Sequence, residues 1–243
     1  MALALSQEGQ ASLPAEVRLL SLNTWLLRIP IAELDLADDI DARVVPLVDA
    51  ATSLLPDVIF LQEVWNPGIR TQLTEQFRRR GYPFVQIPGI PTDQATWDCN
   101  EEVGLPISII PRIPCALMAA VRIQMRSGLM TVSRYPITPV AEHTFSEYTR
   151  ADEVSVGKGV MAGTLVLPNG HFFLAVNSHI GAVSWDSETC DYQADQAATR
   201  LGQVRELSVF LNQLNYRLPN ATQILGVDLN THHHRYGRRY QEL

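Results

Sequence analysis

Four short apolar runs in this sequence end in residues of chemical interest. Val17 to Asn23 (VRLLSLN) finishes in Ser21-Leu22-Asn23, and Val58 to Val64 (VIFLQEV) carries Gln62-Glu63 near its end. The run from His171 to Asn177 continues into Ser178-His179, and Ala221 to Val227 leads into Asp228-Leu229-Asn230. One polar strand end is commonplace. Four of them, bearing Asn, Glu, His and Asp/Asn, point to one cluster at a common sheet edge, because α/β sites form beyond the carboxyl ends of strands. The set is oxygen-rich with a single imidazole, which suits a hard cation such as Mg²⁺ better than zinc. A cation beside a hydrogen-bonding histidine is what phosphate ester hydrolysis needs: developing charge is neutralised, and a carboxylate or imidazole aligns or deprotonates water. No P-loop, G-x-S-x-G or H-E-x-x-H occurs, so the triphosphatase, hydrolase-elbow and zincin readings have no motif to stand on.

Periodicity gives the strands and helices that would carry these residues. Val17 to Asn23, Val58 to Val64 and Ala221 to Val227 read as buried strands by length and content. Ile40 to Leu55 has helical spacing through Val44, Leu47, Val48, Ala51 and Leu55, with Pro46 early in it. Ile69 to Arg80 is a second helix; Arg78, Arg79 and Arg80 in its last turn suit the helix dipole, and Gly81 stops it. From Leu129 the pattern changes to short strands: LMTVS, Ile137 to His143, Val160 to Val166 and His171 to Asn177, the last two joined by the hairpin signal Asn169-Gly170. Ala194 to Leu214 is an amphipathic helix, apolar at Leu201, Val204, Leu207, Phe210, Leu211 and Leu214. Gln86 to Pro114 is an irregular excursion. Its second part, Gly104 to Val121, is apolar for a loop and reads first as packed on the core, second as a rim facing lipid or another chain.

Composition sets the outer bounds. The 243 residues are 46% hydrophobic and 19% charged, an ordinary globular balance with ample length for a core. A net charge of −7 counts against a sequence-blind polyanion binder. Three cysteines without C-x-x-C spacing exclude a disulfide scaffold and a cysteine-rich zinc module. The first twenty residues lack a basic n-region and contain Glu8 and Glu16, so they do not read as a secretory signal, and no apolar run is long enough for a spanning helix.

The segments LLSLNTW, DVIFLQEVW, SGLMTVSRYPI, NSHI and ILGVDLNT occur in the order and spacing of the endonuclease/exonuclease/phosphatase superfamily, from about Val17 to Thr231. Within it the chain most resembles neutral sphingomyelinases. GKGVMAGTLVL, with Lys158, is similar to their "KG" strand, and TRLGQVREL to the helix after their histidine motif, with Arg200 and Gln203 at the R-x-x-Q positions. VDLN matches the G-D-x-N motif with Val227 set between glycine and aspartate. The resemblance implies a four-layer α/β sandwich of the deoxyribonuclease-like kind, formed by residues 1–243 as one domain. It implies Glu63 as the principal Mg²⁺ ligand with Asn23 beside it. Asp228 and Asn230 would orient the nucleophilic water and the phosphate, and His179 would bond the scissile phosphate. The implied substrate is sphingomyelin, split into ceramide and phosphocholine at a membrane surface without a transmembrane segment. A nuclease or phosphoinositide-type phosphatase shares the chemistry; the acidic balance and the KG strand count modestly against a nuclease.

One departure matters. The superfamily finishes with an Asp-His pair whose histidine is the general base, on a strand well after G-D-x-N, and no Asp-His dipeptide occurs here. The resemblance therefore implies a sandwich without its last strands, and a chain that hydrolyses sphingomyelin poorly by itself and tends to aggregate. A catalytically silent lipid- or protein-binding remnant is the alternative of another class. His232, His233 and His234 come soon after Asn230 but are not read as a replacement base, because a base needs positioned geometry before the right pKa. Each selected residue also has a purely structural reading. Glu63 could be a hairpin charge, Asn23 a turn cap, His179 a satisfied core histidine, Asp228 and Asn230 an Asx turn, and Lys158 a surface lysine. Trp25 and Trp65, two residues after Asn23 and Glu63, read as packing.

Overall fold

The computed structural model describes residues 16–29, 34–35, 38–89, 126–147, 157–182 and 190–230. Its first sheet holds β1 (Leu19–Leu26), β4 (Val58–Val64), β5 (Phe84–Gln86) and β6 (Met130–Ser133), in the order β1-β4-β6-β5. The second holds β7 (Ile137–Thr144), β8 (Gly159–Val166), β9 (Phe172–His179) and β10 (Thr222–Asp228), in the order β10-β9-β8-β7. A small ribbon pairs β2 (Arg28–Ile29) with β3 (Leu34–Asp35). The helices are α1 (Ile40–Ser53), α2 (Pro67–Arg79) and α3 (Cys190–Arg217). Each main sheet contains one parallel pair, β1 with β4 and β10 with β9; its other pairs are antiparallel.

Side-chain alternation builds the layers. Along β4, Ile59 and Leu61 face one way and pack with Val44 and Val48 of α1 and Leu73 and Phe77 of α2. Val58 and Phe60 face the other way, onto Phe173 and Ala175 of β9. The remaining β9 residues of that run, Leu174 and Val176, face Leu207, Phe210 and Leu214 of α3. Three apolar cores thus separate four layers: α1 with α2, the first sheet, the second sheet, and α3. Each large side chain so removed from water contributes roughly 1.5–3 kcal/mol. The sheets approach closely in the middle layer: a Cβ on Gly226 would overlap the Phe60 ring, so that position in β10 admits only glycine without rearrangement.

The two apolar strands become polar at the same level. Gln62 and Asn177 continue the inward-facing series of β4 and β9, and both are buried. Gln62 Nε2 donates to Asn177 Oδ1 at 2.9 Å, and Asn177 Nδ2 donates to the carbonyls of Leu61 and Met130, each at 3.1 Å. The sheets are therefore joined across their interface by hydrogen bonds at the end where Glu63 and His179 emerge.

Several elements differ from the sequence reading. The polar strand ends do not share one sheet edge: β1 and β4 belong to one sheet, β9 and β10 to the other. β1 and β10 are only partly buried, each being an outer strand of its sheet among the described residues. β5 begins two residues before the irregular excursion and is short enough to carry little pattern. Leu201 and Val204 of α3 are exposed, 51% and 42%, and the buried positions between them are Gly202 and Gln203. That half of α3 faces loop backbone, where polar groups must be met with hydrogen bonds. The Gly104–Val121 stretch and His232 to His234 lie outside the described residues.

The bridge between the sheets gives a direct test. Asn177→Leu keeps the branched shape with some added bulk and removes the Asn177 partner of the Gln62 amide and of two strand carbonyls, at about 1–3 kcal/mol for a buried polar group left unmade. We expect a lower urea midpoint with an unchanged m-value, equivalent to a loss of about 2–3 kcal/mol. A loss below about 0.5 kcal/mol would show that the bridge does not hold the sheets.

Candidate active site

Each site residue sits at or near the end of a strand. In the first sheet Asn23 pairs with Gln62, which places Glu63 one residue further along β4. In the second sheet Asp228 pairs with His179, and His179 also pairs with Gly159, the neighbour of Lys158. The bridged sheets bring the two groups together. Asn23 Nδ2 donates to Glu63 Oε1 at 2.8 Å and to Asp228 Oδ2 at 2.7 Å, so one amide nitrogen stands between two carboxylates from different sheets. Asn23 Oδ1 in turn accepts from the Trp25 backbone N–H at 3.0 Å.

His179 lies wholly buried beneath these acids, its Nε2 3.5 Å from Asp228 Oδ2 and 3.8 Å from Glu63 Oε1. Two donors aim at that nitrogen: Lys158 Nζ at 2.7 Å and Asn230 Nδ2 at 3.0 Å. The Asn230 amide cannot be turned around without setting its oxygen against the Ile180 carbonyl, to which Nδ2 donates at 2.7 Å. Lys158 Nζ also lies 3.2 Å from Nδ1, so donors crowd both ring nitrogens and the site favours the neutral imidazole. Its pKa agrees. Burial, the larger cause, and the Lys158 charge both push it well below the usual histidine value.

Backbone geometry at the same place is strained. Trp25, Glu63 and Asn230 have φ of 47°, 62° and 50°, in the left-handed region where residues with a Cβ are uncommon. Such residues cost of order 1–3 kcal/mol each and gather at functional sites. In the first sheet the strain accompanies a break in the ladder, whose pairing stops at Asn23 with Gln62 and resumes at Leu26 with Val64; in the second it turns the chain just past β10. Asn230 N–H closes an Asx turn on Asp228 Oδ1 at 2.8 Å, so the structural and functional readings of that pair coexist. After Glu63, Asn66 caps α2 by accepting from Gly68 and Ile69, and Arg70 Nη2 donates to the Trp65 carbonyl at 3.1 Å.

The two tryptophans part company. Trp65 is buried, its ring 6.1 Å from that of His179 and 5.7 Å from Lys158 Nζ, so it supplies the apolar wall that desolvates both. Trp25 is 61% exposed beside Asn23, which corrects its reading as packing; the strained turn takes it out of the strand's alternation. Lys158 is likewise not a surface lysine, being 2% exposed. The sequence clue to its burial is the apolar strand that starts one residue later.

Two facing carboxylates and an amide are a donor set that fits a hard divalent cation. Among the described residues no three His, Cys, Asp or Glu side chains form a ready metal cage. Mg²⁺ does not require one, since it is commonly held by one or two carboxylates together with waters and a phosphate.

With the geometry in place, comparison defines the class. The family model described as Endonuclease/Exonuclease/phosphatase family matches residues 20–242. This chain belongs to that family. Among curated protein sequences none matches it significantly. It is similar in fold to sphingomyelinase C from Streptomyces griseocarneus (TM-score 0.61, 19% identity, 90% of this chain and 65% of that one). It is also similar to a double variant of beta toxin from Staphylococcus aureus with bound magnesium ions (0.59, 19%, 89% and 65%). The human Nocturnin catalytic domain with bound sulfate is a further neighbour (0.51, 15%, 90% and 65%). The chain therefore spans 65% of the length of each of these three.

Lys158→Met removes the lesser of the two causes that keep His179 neutral. The imidazole pKa should rise but remain below the usual histidine value, because burial persists. Titration followed by NMR of the ring protons measures this, and an unchanged or lower pKa would dismiss the Lys158 contribution.

Proposed function

We propose that this site cleaves phosphodiesters with the help of Mg²⁺, and that its substrate is sphingomyelin, released as ceramide and phosphocholine. The observation that carries the reading is the convergence of Glu63 and Asp228 on Asn23, directly above a buried His179. Glu63 would hold the cation, with Asn23 turning its amide oxygen toward it. When bound, the cation would supply positive charge to the phosphate and lower the pKa of nearby water. Asp228 would accept a hydrogen bond from that water and align it. Asn230 would donate to a phosphate oxygen. His179 would take up a proton as the anion enters, because a phosphate beside it offsets the penalty that burial imposes on imidazolium. Lys158 would add a second positive charge on the same side. The superfamily resemblance and the sphingomyelinase neighbours support the lipid substrate, as do exposed Trp25 and Leu229, which give apolar surface immediately beside Asn23 and Asp228.

The reading is tested by assaying the purified chain with Mg²⁺ on sphingomyelin vesicles, on duplex DNA and on phosphoinositide vesicles. We expect phosphocholine release that is slow, because no Asp-His pair occurs in the sequence, that disappears with EDTA, and that falls at least about 100-fold further in Glu63→Gln, the scale of a lost electrostatic partner in the transition state. Cleavage of DNA or of the phosphoinositide alone would move the substrate to the nuclease or phosphatase class. Vesicle binding without hydrolysis of any of the three would favour the silent binding remnant.

A further inference from the structure

α3 carries a polar stripe that its apolar pattern does not explain. Arg200, Gln203 and Glu206 recur every third residue on the face turned toward the site loops. Arg200 Nη2 donates to the carbonyl of Leu229 at 3.0 Å, between Asp228 and Asn230. Gln203, fully buried, accepts from the Gly181 N–H at 2.7 Å and donates to the Glu147 carbonyl at 2.7 Å. Glu206 accepts from the Ser146 N–H at 3.0 Å, from Ser146 Oγ at 2.9 Å, and contacts His143 Nε2 at 2.6 Å. The three side chains thus reach the segment after β10, the segment after β9 and the segment after β7.

We propose that Arg200 and Gln203 are positioning residues: they fix the places of Asn230 and His179 by holding the backbone just beyond each. The catalytic part of this inference rests on the proposed phosphodiesterase reading; the positioning part does not. The strand ladder ends at Asp228 and His179, so β-pairing cannot hold the backbone past those two residues. Ile180 N–H reaches back to the Asp228 carbonyl at 2.9 Å, and Asn230 Nδ2 reaches the Ile180 carbonyl, which couples the two segments to each other. Arg200 and Gln203 couple both to α3. The bonds are to backbone, so they set the location of the site side chains without touching a substrate.

The test uses Arg200→Met, Arg200→Lys and Gln203→Met, with bis(p-nitrophenyl) phosphate and Mg²⁺ as the activity probe. Amide hydrogen exchange over residues 180–182 and 228–230 is the readout that needs no activity. In Gln203→Met the Gly181 amide should exchange faster, and in Arg200→Met the Asn230 amide should, while α3 and β9 keep their protection. Turnover should fall about 10- to 100-fold with KM within about twofold, since small misplacements of reacting groups cost rate rather than binding. Arg200→Lys, which keeps a donor, should recover most of the loss. Unchanged exchange at both segments in both methionine variants would overturn the inference. So would a loss of turnover matched by a loss of protection across the whole of α3 and β9. If Gln203→Met does not fold, Arg200→Met at its half-exposed position decides the matter. Altered exchange in a chain whose wild type cleaves no phosphodiester would uphold the positioning and overturn the phosphodiesterase reading instead.

Discussion

The hydrogen-bonded pair Gln62 and Asn177 fixes how the two sheets meet, and the site inherits its geometry from that meeting. Apolar side chains between two sheets can slide past one another with little change in buried area. An amide pair cannot, because a shift of a residue leaves donors and acceptors unmet in a dry interior. Asn177 also bonds carbonyls of β4 and β6, which locks the second sheet to two strands of the first. Glu63 and His179 are the next residues of consequence on β4 and β9, so their separation is set by this pair. The polar bridge lies at the site end of the interface, and Phe60, Phe173 and Ala175 continue it as apolar contact.

Beyond the bridge the site concentrates charge that the surrounding layers could not tolerate elsewhere. Two carboxylates face each other from different sheets, and an asparagine amide lies between them. A buried lysine sits against a neutral imidazole and an indole. Each of these placements is unfavourable alone and is sustained by its neighbours: the amide relieves the acids, while the neutral imidazole of His179 receives the lysine. The left-handed residues Trp25, Glu63 and Asn230 add backbone strain at the same points. Rigid strands that contain or adjoin the strained residues allow this, since they have no freedom to relax the strain away.

Much of this was legible in the sequence where one physical signal dominated. Val58–Val64 is buried on both faces apart from Glu63, and its apolar lead-in VIFL with a closing valine marks it to the residue. The Asn169-Gly170 turn fixes the β8–β9 hairpin through the positive φ of Gly170 and the Asn169 side chain, which accepts from the His171 N–H. The site residues are legible because strand ends are where polar groups can be gathered without breaking a ladder. The residues alone did not disclose the assignment of those strands to two sheets, because a strand's own alternation does not say which sheet it joins. The face of α3 is misread for a related reason. Leu201 and Val204 have the right period but are exposed, and the neighbour that faces the protein, Gln203, meets loop backbone with two hydrogen bonds. Trp25 leaves its strand pattern at a positive φ, and nothing in a tryptophan announces that.

The bond between Asn23 and Asp228 joins residues 205 apart in the chain. The turn between β8 and β9 needs only a few residues to close, whereas this contact must wait until both sheets exist and face each other. Loop closure over such a distance has to be met before the contact returns anything, so long-range pairs of this kind belong to the last stage of folding. The consequence is a built-in order of events. Neither sheet alone carries a complete donor set, and an unfinished or partly opened molecule presents only half of one. The meeting of Asn23 with Asp228 is thereby reserved for chains whose two sheets have both formed and met, and it becomes a reporter of global folding.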